Sequence, residues 1–355
     1  MRTLRLTPLP TDKPGGYLGS LVADGDRVWA AGGTYHKPTL YFSQDRGHSF
    51  TSWQTPAGMP GLRDVHVDGH LVWVVGEWGG IARTSDGGAT WKPIRIHQPA
   101  HAPMVIQAPS PTSAAASCLY SIMRGVDRRL WILGDNGLLM RGRTPKANVA
   151  TFDEVANVST DRLLYMFVDG TTTWILDSGG MLQRDAGRGF EQVALKAMRT
   201  PRPLCALART PKRTLLLLGD GGLILRSTND GASWKKIPID SRHNLEKLIV
   251  TRYGIFVVGG AGSLLVSHDD GQSFQGLDTT VDTHLWSILE LDGDLLIGGE
   301  LGTLWRVDRK ELAEVLRAAY TKRDPVLADL AARLRDGDEG AELVLEDALK
   351  ERELL

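Results

Sequence analysis

Carboxylates recur at one repeated position of this sequence, and cations at another. Aligned on Arg83, Arg141, Arg184, Arg226 and Arg306, one position reads His36, Glu77, Asp135, Ser178, Asp220, Gly260 and Glu300, with Asp177 beside Ser178. A second set precedes apolar runs: Arg63, Arg162, Arg202, Arg242 with His243, and His284. Facing carboxylates can serve as general acid and base, the chemistry of glycoside hydrolysis. Arginines beside them can hold an anionic group. Repetition alone also produces acids at one repeat position, and interleaved acids and bases can simply pair, each surface pair contributing little. Tyr35 and Trp78 share these segments and favour a binding surface, since aromatic and Arg side chains dominate interface anchors. Other nucleophiles show no motif: Gly-x-Ser-x-Gly is absent, and Cys118 and Cys205 lie in apolar runs. His97 and His101 stand four apart in a segment, 97–117, rich in Pro, Ala and Ser. They have no carboxylate or cysteine company, so neither metal nor cofactor is assigned.

The elements that must position these residues are repeats. Thr84-Ser-Asp86-Gly-Gly88-Ala-Thr90-Trp91 has the same form as Ser43-Gln-Asp45-Arg-Gly47-His-Ser49-Phe50 and Ser267-His-Asp269-Asp-Gly271-Gln-Ser273-Phe274. A fourth copy, Ser227 to Trp234, carries Asn229 for the Asp. Upstream of each lies a strand-like run ending at glycine, such as Val72-Trp73-Val74-Val75-Gly76. Asp-Gly pairs (Asp24-Gly25, Asp68-Gly69, Asp169-Gly170, Asp292-Gly293) mark hairpins. Seven such units run approximately 18–53, 62–94, 117–155, 161–193, 203–237, 244–277 and 284–308; the third and fourth lack the full phrase but keep Phe152 and Phe190 near the aromatic position. Four antiparallel strands per ~40 residues predict an all-β, seven-bladed β-propeller over 1–308. The seventh unit lacks a fourth strand, and Arg2–Thr7, similar to the run from Trp91 to Ile96, is expected to supply it and close the ring.

The eight-residue phrase is the Asp-box, or BNR repeat, of sialidases and related propellers. The stretch from Val72 to Trp91 resembles the photosystem II stability/assembly factor propellers, and that resemblance implies a non-catalytic, chaperone-like task. In Asp-box propellers the box turns away from the ligand mouth, so Asp45, Asp86, Asn229 and Asp269 are read as structural: the side chain accepts bonds within its own turn, and the aromatic packs between blades. The opposite mouth is then expected to gather the partner-binding set: Glu77, Trp78, Asp135, Asp177, Asp220, Glu300, Arg63, Arg162, Arg202, Arg242, Tyr35 and His284. A sialidase would need an arginine triad and a Tyr–Glu nucleophile pair. The Arg-Ile-Pro motif is absent, and Tyr17, Tyr120 and Tyr165 have no evident Glu partner.

Composition narrows the field further. The 355 residues are 42% apolar, enough for a sizeable core, and the 40 glycines fit many tight turns. With 41 basic against 42 acidic side chains there is no basic footprint for nucleic acid. No apolar run reaches the length of a membrane span, and the first residues lack the apolar stretch of a signal peptide. Two cysteines suit a reducing compartment, so a cytoplasmic location is expected. Beyond Arg309 the pattern turns helical: Leu312, Val315, Leu316 and Ala319 form one stripe, and Asp324-Pro325 starts a second helix. A third runs through Leu343 to Leu349, in an acidic end whose seven carboxylates outweigh Lys350 and Arg352 by five charges. This 309–355 tail either packs on the propeller or docks a partner or a second copy. The reading is a non-catalytic protein-binding propeller that acts as an assembly scaffold. The alternatives are an immunity-type antagonist that blocks a toxin, and a glycan-binding or sialidase-like hydrolase.

Overall fold

The computed structural model of the chain describes residues 3–11, 15–55, 58–94, 117–144, 151–155 and 158–321. Seven four-stranded antiparallel sheets follow one another along the chain, each meandering outward from an innermost strand. The innermost strands are Tyr17–Asp24, Leu62–Asp68, Leu119–Arg124, Leu163–Asp169, Leu204–Arg209, Leu245–Thr251 and Leu285–Leu291. The second strand of each blade is packed on both faces by neighbouring blades, which is why Leu71–Gly76, Leu215–Gly219 and Gly254–Gly259 read as continuous apolar runs rather than alternating ones. The Asp-Gly hairpins form as expected. Asp24, Asp68 and Asp169 end their strands, and Gly25, Gly69 and Gly170 take the left-handed first turn position.

The Asp-box closes the turn between third and fourth strands. In the first blade the Ser43 hydroxyl donates to Asp45 Oδ1 (2.7 Å) and accepts from Gly47 N (2.8 Å). Asp45 in turn accepts from Ser49 N (2.9 Å) and the Ser49 hydroxyl (2.6 Å). The same bonds recur around Asp86 and Asp269; Asn229 likewise accepts from Ser233 N (2.9 Å), but its amide Nδ2 donates to the Ser233 hydroxyl (2.9 Å). The fourth blade, which lacks the phrase, keeps the function: Asp185 stands at the Ser/Thr position and accepts from the N–H groups of Gly187, Arg188 and Gly189. The four box aromatics, Phe50, Trp91, Trp234 and Phe274, each pack in a cluster shared with the preceding blade. Phe152 and Phe190 do the same in the two blades without the phrase.

The turn also latches blades together. The box residue after Asp or Asn is left-handed, and in three of the four boxes its carbonyl accepts from the third-strand arginine of the preceding blade: Arg306 to Arg46 O (3.2 Å), Arg184 to Asp230 O (3.4 Å), Arg226 to Asp270 O (2.8 Å). The next residue must be glycine. At Gly47 (φ +72°) a Cβ would come within 2.5 Å of Leu296, and at Gly271 (φ +76°) within 2.5 Å of Leu216, each on the second strand of the preceding blade.

The ring closes through the N-terminus, but one step later than expected. The strand on the seventh blade is Thr7–Leu9, paired with Leu304–Val307, and not Arg2–Thr7. Residues 3–6 are diverted to the sixth blade, where Leu4 N bonds Asp278 O (2.8 Å) and Leu4 bridges Thr279. The cause is burial: Leu4 and Leu6 insert into a core formed with Phe256, Val266 and the helix α1 (Arg309–Thr321). That helix is therefore part of the propeller core through Leu312, Val315 and Leu316, and Glu311 accepts the Arg5 N–H (2.7 Å). The 97–117 segment up to residue 116, with His97 and His101, and the second and third tail helices lie outside the described residues.

Two outcomes test the box. Thr84→Val keeps shape but leaves the buried Gly88 N–H without an acceptor, since Thr84 Oγ1 now takes it at 2.9 Å and is 1% exposed. It should cost about 1–3 kcal/mol in urea titration with unchanged slope. For Asp45, burial pushes the carboxyl up, but bonds from Ser49, Ser43 and His48 outweigh it and hold the group at about 2. A depressed carboxyl stabilises the fold above the unfolded value near ~3.9 and loses that contribution as pH falls through the folded one. Stability should thus drop between about pH 4 and pH 2. Asp45→Asn, which copies Asn229, should flatten that part of a melting-temperature profile.

Candidate functional site

The end of the ring opposite the boxes carries the loops between second and third strands. In five blades the loop turns on two consecutive left-handed residues: Trp78-Gly79, Asn136-Gly137, Gly221-Gly222, Ala261-Gly262 and Leu301-Gly302. The glycine N–H then reaches the start of the next blade: Gly79 to Ser117 O (2.7 Å), Gly137 to Asp161 O (2.7 Å), Gly222 to His243 O (2.8 Å), Gly262 to Thr283 O (2.7 Å), Gly302 to Gly16 O (2.6 Å). Backbone bonds therefore set the loops, and a ring of salt bridges is not needed to hold them.

The first left-handed position is occupied very unequally. Asn136, Gly221 and Ala261 suit it or fit it with little bulk, but Trp78 (φ +50°) and Leu301 (φ +54°) do not. A bulky residue there costs roughly 1 kcal/mol or more. Both side chains point out at the rim: Leu301 is 68% exposed, and Trp78 is half-buried with its ring 4.7 Å from that of His36. Tyr35 lies between them in the ring order at 63% exposure. Blades 7, 1 and 2 thus form an apolar arc of the mouth.

A deeper layer comes from a feature hidden in the repeat. Every innermost strand shifts register just after its first leucine, at Leu18, Leu62, Leu119, Leu163, Leu204, Leu245 and Leu285. All seven leucines are fully buried. The bulged residue that follows is Gly19, Arg63, Tyr120, Leu164, Cys205, Glu246 or Trp286. A bulge re-aims its side chain. Glu246 and Trp286 were not legible as site residues, although the leucine repeated in all seven blades marks the position that varies.

The expected site residues separate by what already holds them. Arg63 and Glu77 form an ion pair, and the guanidinium lies over the rings of Tyr17 (4.9 Å) and Tyr120 (5.7 Å). Asp135 accepts from Cys118 N (2.7 Å) and the Tyr120 hydroxyl (3.0 Å). Asp177 is 1% exposed and accepts from Ser159 Oγ (2.6 Å) and Met181 N (2.7 Å), so it ties the loop from beneath and does not join the mouth. Asp220 is pushed up by burial and by the Glu246 charge. His284 Nε2 lies 2.9 Å from Glu246 Oε1, and its ring stacks on Trp286 at 3.9 Å. Arg202 bonds the carbonyl of Asp220 (3.1 Å), and neither Arg162 nor Arg202 has a carboxylate partner among the described residues. Arg242 and Glu300 are exposed without an ion pair among the described residues. Blades 4, 5 and 6 therefore present guanidiniums free of ion pairs, interleaved with the carboxylates of Asp220 and Glu246, across from the apolar arc.

These groups are poorly placed for covalent chemistry. Burial raises the Tyr17 and Tyr120 phenols above their ordinary range and pushes the Cys118 thiol up to about 12. Tyr17 donates to a backbone carbonyl, Leu62 O, at 3.2 Å. Among the described residues no three His, Cys, Asp or Glu side chains are grouped to hold a metal, and no helix is long and apolar enough to cross a membrane.

Seven four-stranded blades with a two-sided loop mouth define a seven-bladed β-propeller. No protein-family model matches the chain, and no curated protein matches it in sequence. Solved structures share its fold. YCF48 bound to a D1 peptide is 19% identical, with a TM-score of 0.63 over 86% of this chain and 96% of that one. YCF48 from Cyanidioschyzon merolae is 14% identical, with a TM-score of 0.65 over 87% and 100%. A catalytically inactive virginiamycin B lyase from Staphylococcus aureus, with quinupristin, is 12% identical, with a TM-score of 0.64 over 85% and 98%.

The strain at the rim has a measurable consequence. Leu301→Gly should raise stability by a few tenths to about 1 kcal/mol, because glycine takes the left-handed turn freely and little burial is lost. Chemical denaturation of the variant beside the parent checks this; a lowered midpoint would show that Leu301 supports the fold.

Proposed function

We propose that this chain binds another protein through the loop mouth and acts as a non-catalytic scaffold of the assembly or chaperone type. The observation that carries the reading is the pair Trp78 and Leu301. Two large apolar side chains occupy a backbone position that opposes them, and they stand at the rim beside exposed Tyr35. Strain of this kind persists where function requires the side chain, and exposed aromatics are common interface anchors. The guanidiniums of Arg162, Arg202 and Arg242 give the partner a second point of attachment and set its orientation. The propeller of YCF48 bound to a D1 peptide supports the reading as a fold of this type holding a polypeptide. A hydrolytic role is disfavoured by the raised phenols and by the engagement of Glu77, Asp135 and Asp177 within the protein.

Site-specific photo-crosslinking in cells tests this. A crosslinker at position 301 or 35 should capture a discrete protein partner, and one at exposed Lys92, on the outer edge of blade 2, should not. Trp78→Ala with Leu301→Ala should reduce capture about tenfold or more, as for loss of interface anchors worth ~2 kcal/mol or more. Capture from position 92 alone, or capture that survives the double variant, overturns the proposal.

A further inference from the structure

A column of side chains crosses the throat beneath the rim, and each blade from 6 round to 3 contributes to it. Glu246 Oε1 lies 2.9 Å from His284 Nε2, and the His284 ring stacks on Trp286 at 3.9 Å with the planes 7° apart. Trp286 also meets Tyr17 at 5.3 Å. Tyr17 carries the Arg63 guanidinium at 4.9 Å, which lies over Tyr120 as well. At that end Arg63 is balanced by Glu77. The other end has no such balance. Glu246 has no guanidinium or ammonium partner among the described residues, only the His284 imidazole. It also faces Asp220, whose carboxyl is pushed up by burial and by the Glu246 charge.

The charged groups around His284 come from every neighbouring element. Blade 6 supplies Glu246, and Lys247 whose ammonium lies over the Tyr165 ring at 4.3 Å. The blade 5 loop supplies Asp220, with Arg202 on its carbonyl and the Cys205 thiol on its carboxylate (3.7 Å). Exposed Arg242 and His243 precede the innermost strand of blade 6, exposed Asp282 precedes His284, and exposed Glu300 opens the blade 7 loop. Imidazole is the side chain that changes charge between about pH 5 and pH 8. A proton on His284 gives Glu246 an ion-pair partner and places a cation on the Trp286 ring. The same residue holds the rim. Glu300 N bonds His284 O (3.2 Å) and Gly302 N bonds Gly16 O (2.6 Å), so the turn carrying Leu301 is strapped at both ends to the backbone beside the His284–Trp286–Tyr17 stack. The first of these bonds recurs in six blades, where the acceptor is otherwise Gly61, Cys118, Arg162, Pro203 or Asn244; only in blade 7 does it belong to an imidazole residue.

We propose that the throat is a proton switch: His284, once protonated, tightens its contacts with Glu246 and Trp286 and so fixes the Glu300–Gly302 turn that presents Leu301. Its use in partner binding rests on the mouth reading above, but its test needs no partner. Fluorescence of the full chain is followed from about pH 8.5 to about pH 5, beside Trp286→Phe and His284→Gln, whose amide keeps a donor toward Glu246. The parent minus Trp286→Phe difference should show one transition, absent from His284→Gln and unchanged in His243→Gln. Glu246→Gln should move it about one pH unit lower, because the carboxylate favours the charged imidazole. Hydrogen exchange of the 300–302 turn is compared between parent and His284→Gln at the same pH. It should be slower in the parent by about fivefold at the acid end and equal at the alkaline end, the low end of a coupling between two sites. No transition in the difference, one that survives His284→Gln, or one that Glu246→Gln leaves in place overturns the proposal. So does exchange in the turn that is the same in parent and variant at both ends.

Discussion

The contact on which this ring depends is made by a residue without a side chain. The box glycine lies flat against the second strand of the preceding blade, Gly47 on Leu296 and Gly271 on Leu216. A left-handed carbonyl beside it accepts the arginine of the neighbour's third strand. The box carboxylate or amide does not itself cross the junction. It holds the turn in the one shape that lets glycine approach and the carbonyl point outward, through bonds such as Ser49 N to Asp45 Oδ1. Blade-to-blade packing in a propeller has no ladder continuity, and before blades 1, 5 and 6 the local turn doubles as a latch between neighbours.

That arrangement leaves the other end of the ring free for a different task. There the loops are tied blade to blade by glycine N–H groups, and their side chains are not needed for closure. The scaffold can therefore hold Trp78 and Leu301 in an unfavourable backbone state, because the bonds of Gly79 and Gly302 over-determine the turn. It can also leave Arg162, Arg202 and Arg242 without acidic partners. The opposite solution operates under the mouth, where Arg63 is sandwiched between Tyr17 and Tyr120 and paired to Glu77, which fills and rigidifies one side of the throat.

The seam between first and last blades shows how the termini adapt to a ring. The N-terminal strand completes the seventh blade, and the segment before it joins α1 in covering the sixth. Val266 takes the place that arginine holds in blades 2 to 5, since a helix and not a box carbonyl lies against it. The helix packs well on its apolar side but does not reproduce the compact box turn, and a cavity beside Arg252 and Arg309 is the space that remains.

Blade number, blade limits and the structural role of the Asp-box were legible because they are written in local, repeated chemistry: turn glycines, hydroxyl–carboxylate pairs and apolar runs of strand length. The start of the closing strand was not, because Leu4 and Leu6 follow burial against a helix more than 300 residues away. The candidate site was half legible. Alignment of the repeats located the loops and bulged-strand ends, but could not distinguish Asp177, buried in bonds beneath its loop, from Glu300, exposed on the rim. The throat residues Glu246 and Trp286 needed the bulge, which moves one residue per blade out of the alternation that a strand pattern assumes. Sequence determined the repeating unit, since its bonds close within about eight residues. Only the closed ring decided which charges are spent on neighbours and which remain for a partner, because those distances are set by blades far apart in the chain.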